Sequence, residues 1–311
     1  MGINVLLATY CVVRVFILHH SGEWWYLRLM IAKTAFQNLH NALQTIYDNR
    51  EAFTISTYIF EDIFKIYNTK SEKILFEPQV TQLSEIQNRL LKYEPWQHVV
   101  GFADFYGSKF QVSPDVLIPR PETEELVQLI LDNIKPMQTI LDIGTGSGCI
   151  PISIKKKHEH LTVFGLDISG AALEIAKKNA ALNHVEIHWR QADILNPNEW
   201  SRVGADQKFD IIVSNPPYVL ESDKSNMHQN VLDFDPEIAL FVADETPLLF
   251  YDSIANFALR YLKPNGQLYF EIHQDFGQQT VALLENKGFT KVKLVKDLFG
   301  NDRIVFGNIY T

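Results

Sequence analysis

The sequence "IIVSNPPYVL", residues 211–220, places Asn215, Pro216, Pro217 and Tyr218 directly after an apolar run typical of a buried strand. An asparagine amide offers a carbonyl acceptor and an NH2 donor, and a residue before proline is held extended. Pro216 adds a backbone carbonyl without a competing amide hydrogen, and Tyr218 adds a flat aromatic face. This pattern predicts a rigid pair of acceptors, the Asn215 side-chain oxygen and the Pro216 carbonyl oxygen, which bind a planar NH2 group. The alternative is a proline-terminated strand and turn.

A glycine loop in "LDIGTGSG" carries Gly144, Gly146 and Gly148 between a strand pattern and a helix pattern. Glycines let the backbone approach a ligand and present amide groups at the start of the helix. Asp167 ends the next strand pattern, roughly 20 to 25 residues further on, where a carboxylate of this topology receives ribose hydroxyls. Asp193 follows the third strand pattern, although a loop or capping carboxylate would also explain it. Together these residues predict an adenosine-containing ligand.

The nature of that ligand is decided by the fourth strand. NAD and S-adenosylmethionine both fit the glycine loop and the two carboxylates. Because carboxyl ends of parallel strands meet at one edge, Asn215 to Tyr218 should lie beside the glycine loop. A bound NH2 group next to an adenosine-containing cofactor favours methyl transfer from S-adenosylmethionine, with S-adenosylhomocysteine as the product.

The order of helix and strand patterns predicts four segments. Residues 30–93 lack glycine and have apolar residues at helical spacing, which indicates a small helical domain. Residues 94–118 are predicted to form a β-hairpin linker. A helix then begins at "RPETEELV", where Pro121 suits the first turn and Glu122 suits the positive end of the helix dipole. From residue 138 onward strands and helices alternate, which predicts an α/β domain over 119–311 with a mainly parallel sheet.

Residues 1–29 form a predicted N-terminal extension with the most apolar run of the chain, Val5 to Leu18. Arg14 interrupts this run, which is shorter than the roughly 20 residues needed to cross a bilayer. We interpret the extension either as a start-site artefact, with natural translation beginning near Met30, or as an additional packed strand or helix.

The composition excludes several functional classes. The chain has 311 residues, 46% hydrophobic and 21% charged, as expected of a soluble globular protein. Its formal charge of -9 argues against stable binding to nucleic acid through phosphate contacts. Two cysteines without metal-ligand spacing indicate neither a disulfide framework nor a metal site, so we expect a cytoplasmic protein without a membrane segment.

The sequence resembles the HemK/PrmC family of S-adenosylmethionine-dependent methyltransferases, which modify glutamine side chains of peptide chain release factors. The resemblance runs from about Met30 to the end and rests on "LIPRPETE", "LDIGTGSGCI", "GLDIS", "VSNPPYV" and "FDPEIALF". It implies a Rossmann-like class I methyltransferase with a seven-stranded sheet and a small N-terminal helical domain that recognises the substrate. The expected reaction transfers a methyl group to the side-chain amide nitrogen of the glutamine in the Gly-Gly-Gln motif of class I release factors.

The resemblance implies roles for Gly144 to Gly148, Asp167 and Asn215 to Tyr218, whereas Asp193 is predicted from its place at the sheet edge and Arg120 and Glu122 from their place at the start of a helix. Those expected to contact the cofactor are Gly144, Thr145, Gly146, Ser147, Gly148, Asp167, Asp193, Ile194 and Asn215. Asn215, Pro216 and Tyr218 are expected to be catalytic, and these three with Pro217, Arg120 and Glu122 are expected to bind the substrate. Arg120 and Glu122 could close the cofactor pocket, orient the substrate or only start a helix. Ile194 stands where some members have a cofactor-contacting aromatic residue, and His98 stands where the family often has tyrosine.

Three alternative functions share parts of this pattern. A ribosomal protein glutamine methyltransferase has the same Asn-Pro-Pro-Tyr tetrad. An adenine-N6 nucleic-acid methyltransferase would bind the NH2 group of a flipped base in the same pocket, but the acidic charge disfavours it. A cofactor-binding module without catalysis would not require Asn215 and Tyr218.

Overall fold

The computed structural model describes residues 3–7, 13–18, 24–204 and 207–310. The chain divides into two compact units, Met1–Val100 and Gly101–Thr311, and each has a hydrophobic core of its own. Among the described residues, no helix combines the length and apolarity that crossing a membrane requires.

The first unit combines helices with an antiparallel sheet whose strand order is β1-β2-β3-β4. Its elements are β1 (Ile3–Leu7), β2 (Val13–Leu18), β3 (Trp24–Ile31), α1 (Ala32–Leu43), α2 (Asn49–Asp62), β4 (Ile74–Leu75), α3 (Glu77–Leu90) and α4 (Trp96–Val100). The helical spacing predicted α1 to α3, whose apolar faces form the buried core. Sequence reasoning placed Met30 at the start of this helical region, but Met30 belongs to β3, where it pairs with Leu75. Residues 1–2, 8–12 and 19–23 of the predicted extension lie outside the described residues.

The second unit begins with the hairpin β5 (Phe102–Phe105) and β6 (Ser108–Gln111) and continues as an alternation of helices and strands. These are α5 (Pro121–Asn133), β7 (Thr139–Ile143), α6 (Cys149–Lys157), β8 (Thr162–Asp167), α7 (Gly170–Leu182), β9 (His188–Gln191), α8 (Ser201–Gly204), β10 (Phe209–Ser214), β11 (Val219–Leu220), α9 (Gln229–Phe234), α10 (Glu237–Leu240), β12 (Phe241–Val242), α11 (Leu249–Tyr261), β13 (Leu262–Glu271), α12 (Gly277–Asn286), β14 (Thr290–Lys296) and β15 (Asp302–Asn308). As predicted, α5 begins with Pro121 in its first turn.

The central sheet has seven strands in the order β14-β15-β13-β10-β7-β8-β9. The five strands from β13 to β9 are parallel, and β15 is antiparallel to both of its neighbours. Side chains alternate between the two faces of each strand, so Ile212 joins the core containing α11, whereas Ile211 and Val213 join the core containing α5 and α6. The sheet is therefore covered on both faces, which confirms the predicted Rossmann-like α/β fold.

The strand register determines which residues meet at the carboxyl edge. Ser214 of β10 pairs with Ile143 of β7 and with Phe270 of β13, and Ile143 pairs with Leu166 of β8. The next residues along these four strands, which are Gly144, Asp167, Asn215 and Glu271, consequently lie at the same level of the sheet.

Candidate active site

A cavity opens at this carboxyl edge, where open α/β sheets bind their ligands. Its lining combines residues from the ends of β7, β8, β9 and β10 with residues from the loop 115–117 and from the start of α10, 236–239. Eight of the predicted site residues line it: Gly144, Gly146, Asp167, Asp193, Ile194, Asn215, Pro216 and Pro217. Thr145, Ser147 and Gly148 belong to the same glycine loop but are not among the lining residues.

The glycine loop adopts a backbone conformation that other residues rarely adopt. Gly144, Gly146 and Gly148 have φ values of 72°, 52° and 80°, in the left-handed region that favours glycine. A Cβ added at Gly146 would meet nothing within 4 Å, so the space above this residue is open to a ligand. The loop turns directly into α6, which begins at Cys149, and the positive end of the helix dipole there suits an anionic or polar ligand.

Asp167 is anchored by the backbone on both carboxylate oxygens. The Gly146 N–H donates to Oδ2 at 2.8 Å, and the Ser169 N–H donates to Oδ1 at 2.9 Å. The Ile168 N–H also donates to this carboxylate, and since a carboxylate has about four acceptor positions, it can still accept a ligand hydroxyl. Burial raises the pKa of Asp167. The hydrogen bond from Gly146 links this carboxylate directly to the glycine loop. It therefore fixes the distance between the glycine loop and Asp167, the two features predicted to bind the cofactor.

Asp193 has a structural role in addition to its place in the cavity. Its Oδ1 accepts the Leu195 N–H at 2.8 Å, and its own backbone N–H donates to Glu199 Oε2 at 3.0 Å. The loop interpretation and the binding interpretation are therefore compatible, because the side chain stabilises its turn while lining the cavity.

An apolar wall lies beside these carboxylates. Ile194, Phe250, Ile254 and Ile238 contribute to it, although only Ile194 was predicted. Ile194 and Ile254 are buried, and Phe250 supplies an aromatic ring from α11. This surface could pack against the flat apolar face of a base.

Asn215 has a defined amide orientation. Its Nδ2 donates to Thr123 Oγ1 at 3.2 Å, and the Thr123 hydroxyl donates to Glu271 Oε2 at 2.7 Å. The bond to Thr123 uses one of the two hydrogens of the Asn215 NH2 group and places the carbonyl oxygen on the other side of the amide, where it can accept from a ligand. The predicted role of this oxygen, as an acceptor for a substrate NH2 group, remains a prediction.

Tyr218 lies beside the cavity rather than in its lining. Its hydroxyl donates to Glu271 Oε1 at 3.1 Å, and its ring meets His273 edge-on at a centroid separation of 6.0 Å. Burial, followed by the negative charge of Glu271, raises the pKa of Tyr218, so the phenol is protonated at neutral pH. Tyr218 lines a separate open hollow that it shares with Val219, His273 and Arg303.

Arg120 forms an ion pair that joins two walls of the cavity. Its Nη2 lies 2.6 Å from Asp235 Oδ2, and the Asp235 side chain is only 1% exposed. Arg120 follows the segment 115–117, and Asp235 precedes the segment 236–239; both segments line the cavity. Glu122, in the first turn of α5, lies close enough to raise the pKa of Glu271 by charge repulsion.

Asp142 is a carboxylic acid buried in the strand below the glycine loop. It is 0% exposed, and burial raises its pKa to about 7. The Thr145 hydroxyl opposes this rise in the pKa of Asp142, and the negative charge of Asp167 adds to it. Asp142 is not among the residues that line the cavity.

Sequence reasoning missed Thr123, Asp235 and Glu271. Glu271 could have been found, because it ends the strand pattern "GQLYFEI" and so obeys the same edge rule that selected Asp167 and Asn215. Thr123 and Asp235 lie in the quoted stretches "LIPRPETE" and "FDPEIALF", but their partners are 148 and 115 residues away in sequence. No local pattern marks such pairs.

Comparison with known proteins identifies the class and the family. A family model described as "Methyltransferase small domain" matches residues 122–234. The chain is 41% identical over 288 residues to a release factor glutamine methyltransferase of Flavobacterium psychrophilum, covering 89% of this chain and 98% of that protein. It is 43% identical over 275 residues to one of Bacteroides thetaiotaomicron, covering 87% and 97%. A solved protein-(glutamine-N5) methyltransferase from Alicyclobacillus acidocaldarius is 26% identical, with a TM-score of 0.40 over 65% of this chain and 100% of that chain.

The fold, the site and the matched model define a methyltransferase of the Rossmann-like class. At this identity and coverage, the chain belongs to the release factor glutamine methyltransferase family. The family named from the sequence motifs is confirmed.

Proposed function

We propose that this protein transfers a methyl group from S-adenosylmethionine to the side-chain amide nitrogen (N5) of the glutamine in the Gly-Gly-Gln motif of class I release factors. The observation that carries this proposal is the Asn215 amide, whose NH2 group is bound by Thr123 so that its oxygen remains as an acceptor at the cavity. The names of the relatives support the choice of a release factor as substrate.

The residues around the cavity fit the proposed cofactor. The left-handed glycines give a close approach for a ligand, and the Asp167 carboxylate retains acceptor capacity for ribose hydroxyls. The apolar wall of Ile194, Phe250 and Ile254 suits an adenine ring. When bound, S-adenosylmethionine supplies an electrophilic methyl group on a positively charged sulfur.

Asn215 and Pro216 perform the binding step in this proposal. A glutamine amide nitrogen is a weak nucleophile because its lone pair is delocalised into its own carbonyl group. Two acceptors, Asn215 Oδ1 and the Pro216 carbonyl oxygen, would bind the two hydrogens of the substrate NH2 group and orient its nitrogen. They also stabilise the positive charge that develops on nitrogen as the new N–C bond forms, which is electrostatic stabilisation by preorganised dipoles.

The proton balance requires no strong base in the site. The nitrogen gains a methyl carbon and loses one of its two hydrogens as a proton, and the electron pair of the broken C–S bond remains on sulfur. A cationic N-methylated amide is strongly acidic, so water can accept this proton. The protonated Tyr218 phenol already donates its hydrogen to Glu271. We therefore assign Tyr218 a role in anchoring the tetrad, not in accepting the proton.

The test is a methyl-transfer assay with radiolabelled S-adenosylmethionine and four separate acceptors. These are a release factor, the same factor with the motif glutamine changed to alanine, a ribosomal protein and an oligonucleotide. We expect label on the intact release factor alone, at the motif glutamine identified by peptide mass spectrometry. Label on the ribosomal protein or the oligonucleotide but not on the release factor would overturn the proposed substrate.

A further inference from the structure

A buried carboxylate lies behind the Asn-Pro-Pro-Tyr tetrad. Glu271, the last residue of β13, is 1% exposed. Oε2 accepts the Thr123 hydroxyl at 2.7 Å, and Oε1 accepts the Tyr218 hydroxyl at 3.1 Å. Thr123 in turn accepts Asn215 Nδ2 at 3.2 Å. Glu271 therefore contacts one end of the tetrad through a threonine and the other end directly.

The direction of these hydrogen bonds follows from the chemistry of Glu271. An ionised carboxylate only accepts hydrogen bonds, so the Thr123 hydroxyl must donate its single hydrogen to Glu271. The Thr123 oxygen can then only accept from Asn215, and the only group of Asn215 that can donate is Nδ2. The carbonyl oxygen of Asn215 is left for the substrate.

We propose that Glu271 is a positioning residue that, through Thr123, fixes the Asn215 amide with its oxygen toward the substrate. This inference rests on the proposed function, because an acceptor is what a substrate NH2 group requires. The residue acts at a distance, and its contribution is to select an NH2-bearing substrate over one that presents a carbonyl group.

The Tyr218 contact gives the same carboxylate a second function in holding the tetrad. Asn215 and Tyr218 are the first and last residues of a four-residue segment whose two central prolines have fixed φ angles. Anchoring both ends to one buried group restricts the remaining freedom of the segment. The Pro216 carbonyl, between the two anchors, is held with it.

The charge on Glu271 depends on the groups that face it. Burial raises its pKa, and the hydroxyls of Thr123 and Tyr218 and the Arg303 guanidinium of β15 lower it, whereas Glu122 of α5 raises it. The Tyr251 hydroxyl of α11 contacts the backbone oxygen of Glu271 at 3.4 Å. If Glu271 is protonated it can donate to Thr123, and the fixed direction of the relay is lost. We therefore expect kcat to fall as the pH decreases through this pKa.

Glu271→Gln tests the relay with little change in shape. The new NH2 group of Gln can donate to the Thr123 hydroxyl oxygen. The Thr123 hydroxyl can then donate to Asn215 Oδ1, which favours the flipped Asn215 amide with its NH2 group toward the substrate. We expect kcat for release factor methylation to fall by about 10²-fold or more, as when one preorganised contact to a transition state is lost. The affinity for S-adenosylmethionine should change far less. The fall in kcat at low pH, which depends on protonation of Glu271, should be absent in this variant.

Variants of Thr123 keep the test informative if Glu271→Gln does not fold. Thr123→Val removes the relay hydroxyl and should lower kcat as Glu271→Gln does, whereas Thr123→Ser retains the hydroxyl and should keep most of the activity. Thr280→Val is the matched control, because Thr280 is also buried and its hydroxyl donates to the carbonyl of Phe276, the residue just before α12. It should lower stability without lowering kcat.

A measurement without turnover separates this inference from the proposed function. The side-chain NH2 signals of Asn215 can be assigned in nitrogen-15 NMR spectra by their loss in Asn215→Ala. We expect them to shift and to exchange faster with water in Thr123→Val and Glu271→Gln, but not in Thr280→Val. Unchanged signals, or a wild-type kcat in Glu271→Gln, would overturn the positioning role. Responsive signals in a protein that does not methylate release factor would overturn the proposed function alone.

Discussion

At the scale of single residues, Asn215 shows how an ambiguous side chain acquires a defined role. Free asparagine can donate or accept, but its NH2 group is bound here by Thr123 and its place at the cavity leaves the oxygen available. The proposed reaction requires that oxygen to bind a substrate hydrogen. Its loss should therefore affect the transition state more than the cofactor.

The first prediction concerns Asn215→Ala. We expect kcat to fall by about 10²- to 10³-fold, as on removal of one preorganised hydrogen-bonding group from an active site, and the affinity for S-adenosylmethionine, which Asn215 is also expected to contact, to fall by a smaller factor. Isothermal titration calorimetry and a single-turnover methylation assay measure the two quantities. Asn183→Ala is the control, since Asn183 is equally hydrogen-bonded through Lys109, Lys156 and Asn179 but lies outside the cavity lining. Wild-type turnover by Asn215→Ala would contradict the proposed mechanism.

The second prediction concerns the pH dependence of stability. The pKa of Asp142 is about 7 in the folded protein, above its unfolded value of about 3.9, so the folded state binds this proton more tightly. Stability should therefore decrease as the pH rises from about 4 to about 7, by at most about 4 kcal/mol. Asp142→Asn should remove this decrease. Urea unfolding at pH 5 and pH 8 measures the difference, and an unchanged pH slope in the variant would count against it.

At the scale of elements, one ion pair joins the two loops that frame the cavity. Arg120 precedes α5, and Asp235 follows α9. The Ile118 N–H also approaches Asp235 Oδ1 at 3.5 Å. Sequence reasoning left Arg120 as a pocket-closing, substrate-orienting or helix-starting residue, and the pair with Asp235 favours the pocket-closing role.

The third prediction follows from this pair. Arg120→Met leaves the buried Asp235 carboxylate without this cation, so the two loops should separate more often and the cofactor should bind about tenfold more weakly, a change of about 1.4 kcal/mol. Calorimetry with S-adenosylmethionine measures this effect. Lys263→Met is the control, because it breaks a comparable pair with Asp210 outside the cavity lining. A raised KM for release factor with an unchanged cofactor Kd would instead support the substrate-orienting role.

At the scale of the whole molecule, the two units have separate cores. Leu39 is fully buried in the core of the first unit, and Leu268 is fully buried in the sheet that carries the cavity. Each unit consequently holds its own apolar surface away from water, and a core defect in one unit should act mainly on that unit.

The fourth prediction compares these two leucines. Leu39→Ala and Leu268→Ala should each destabilise their unit by about 2 to 5 kcal/mol. Only Leu268→Ala should weaken S-adenosylmethionine binding, since Leu268 pairs with Ile212 of β10, the strand that leads to the cavity residue Asn215. Scanning calorimetry with calorimetric titration measures both effects. Equal losses of cofactor affinity in the two variants would show that the units are not independent.

We also propose that residues 30–93 recognise the release factor. Leu39→Ala should then raise the KM for the whole release factor more than the KM for a short Gly-Gly-Gln peptide.

Several features of this protein were determined by the sequence alone. The alternation of apolar runs with helical patterns predicted the α/β sheet, since burial on both faces requires strands that are apolar throughout. The spacing of Gly144, Asp167 and Asn215 predicted a shared ligand site, because parallel strands end at the same edge. The local chemistry of Asn215 and Pro216 predicted acceptors for an NH2 group.

Only the tertiary structure decided which partners these residues have. Thr123, Asn215, Tyr218 and Glu271 come from segments far apart in sequence, and strand register brings them into one hydrogen-bonded group. The Arg120–Asp235 pair likewise depends on how two distant loops meet. Local sequence fixes the donor and acceptor capacity of each side chain. The orientation of the Asn215 amide depends instead on an acceptor-only carboxylate that the fold places behind it.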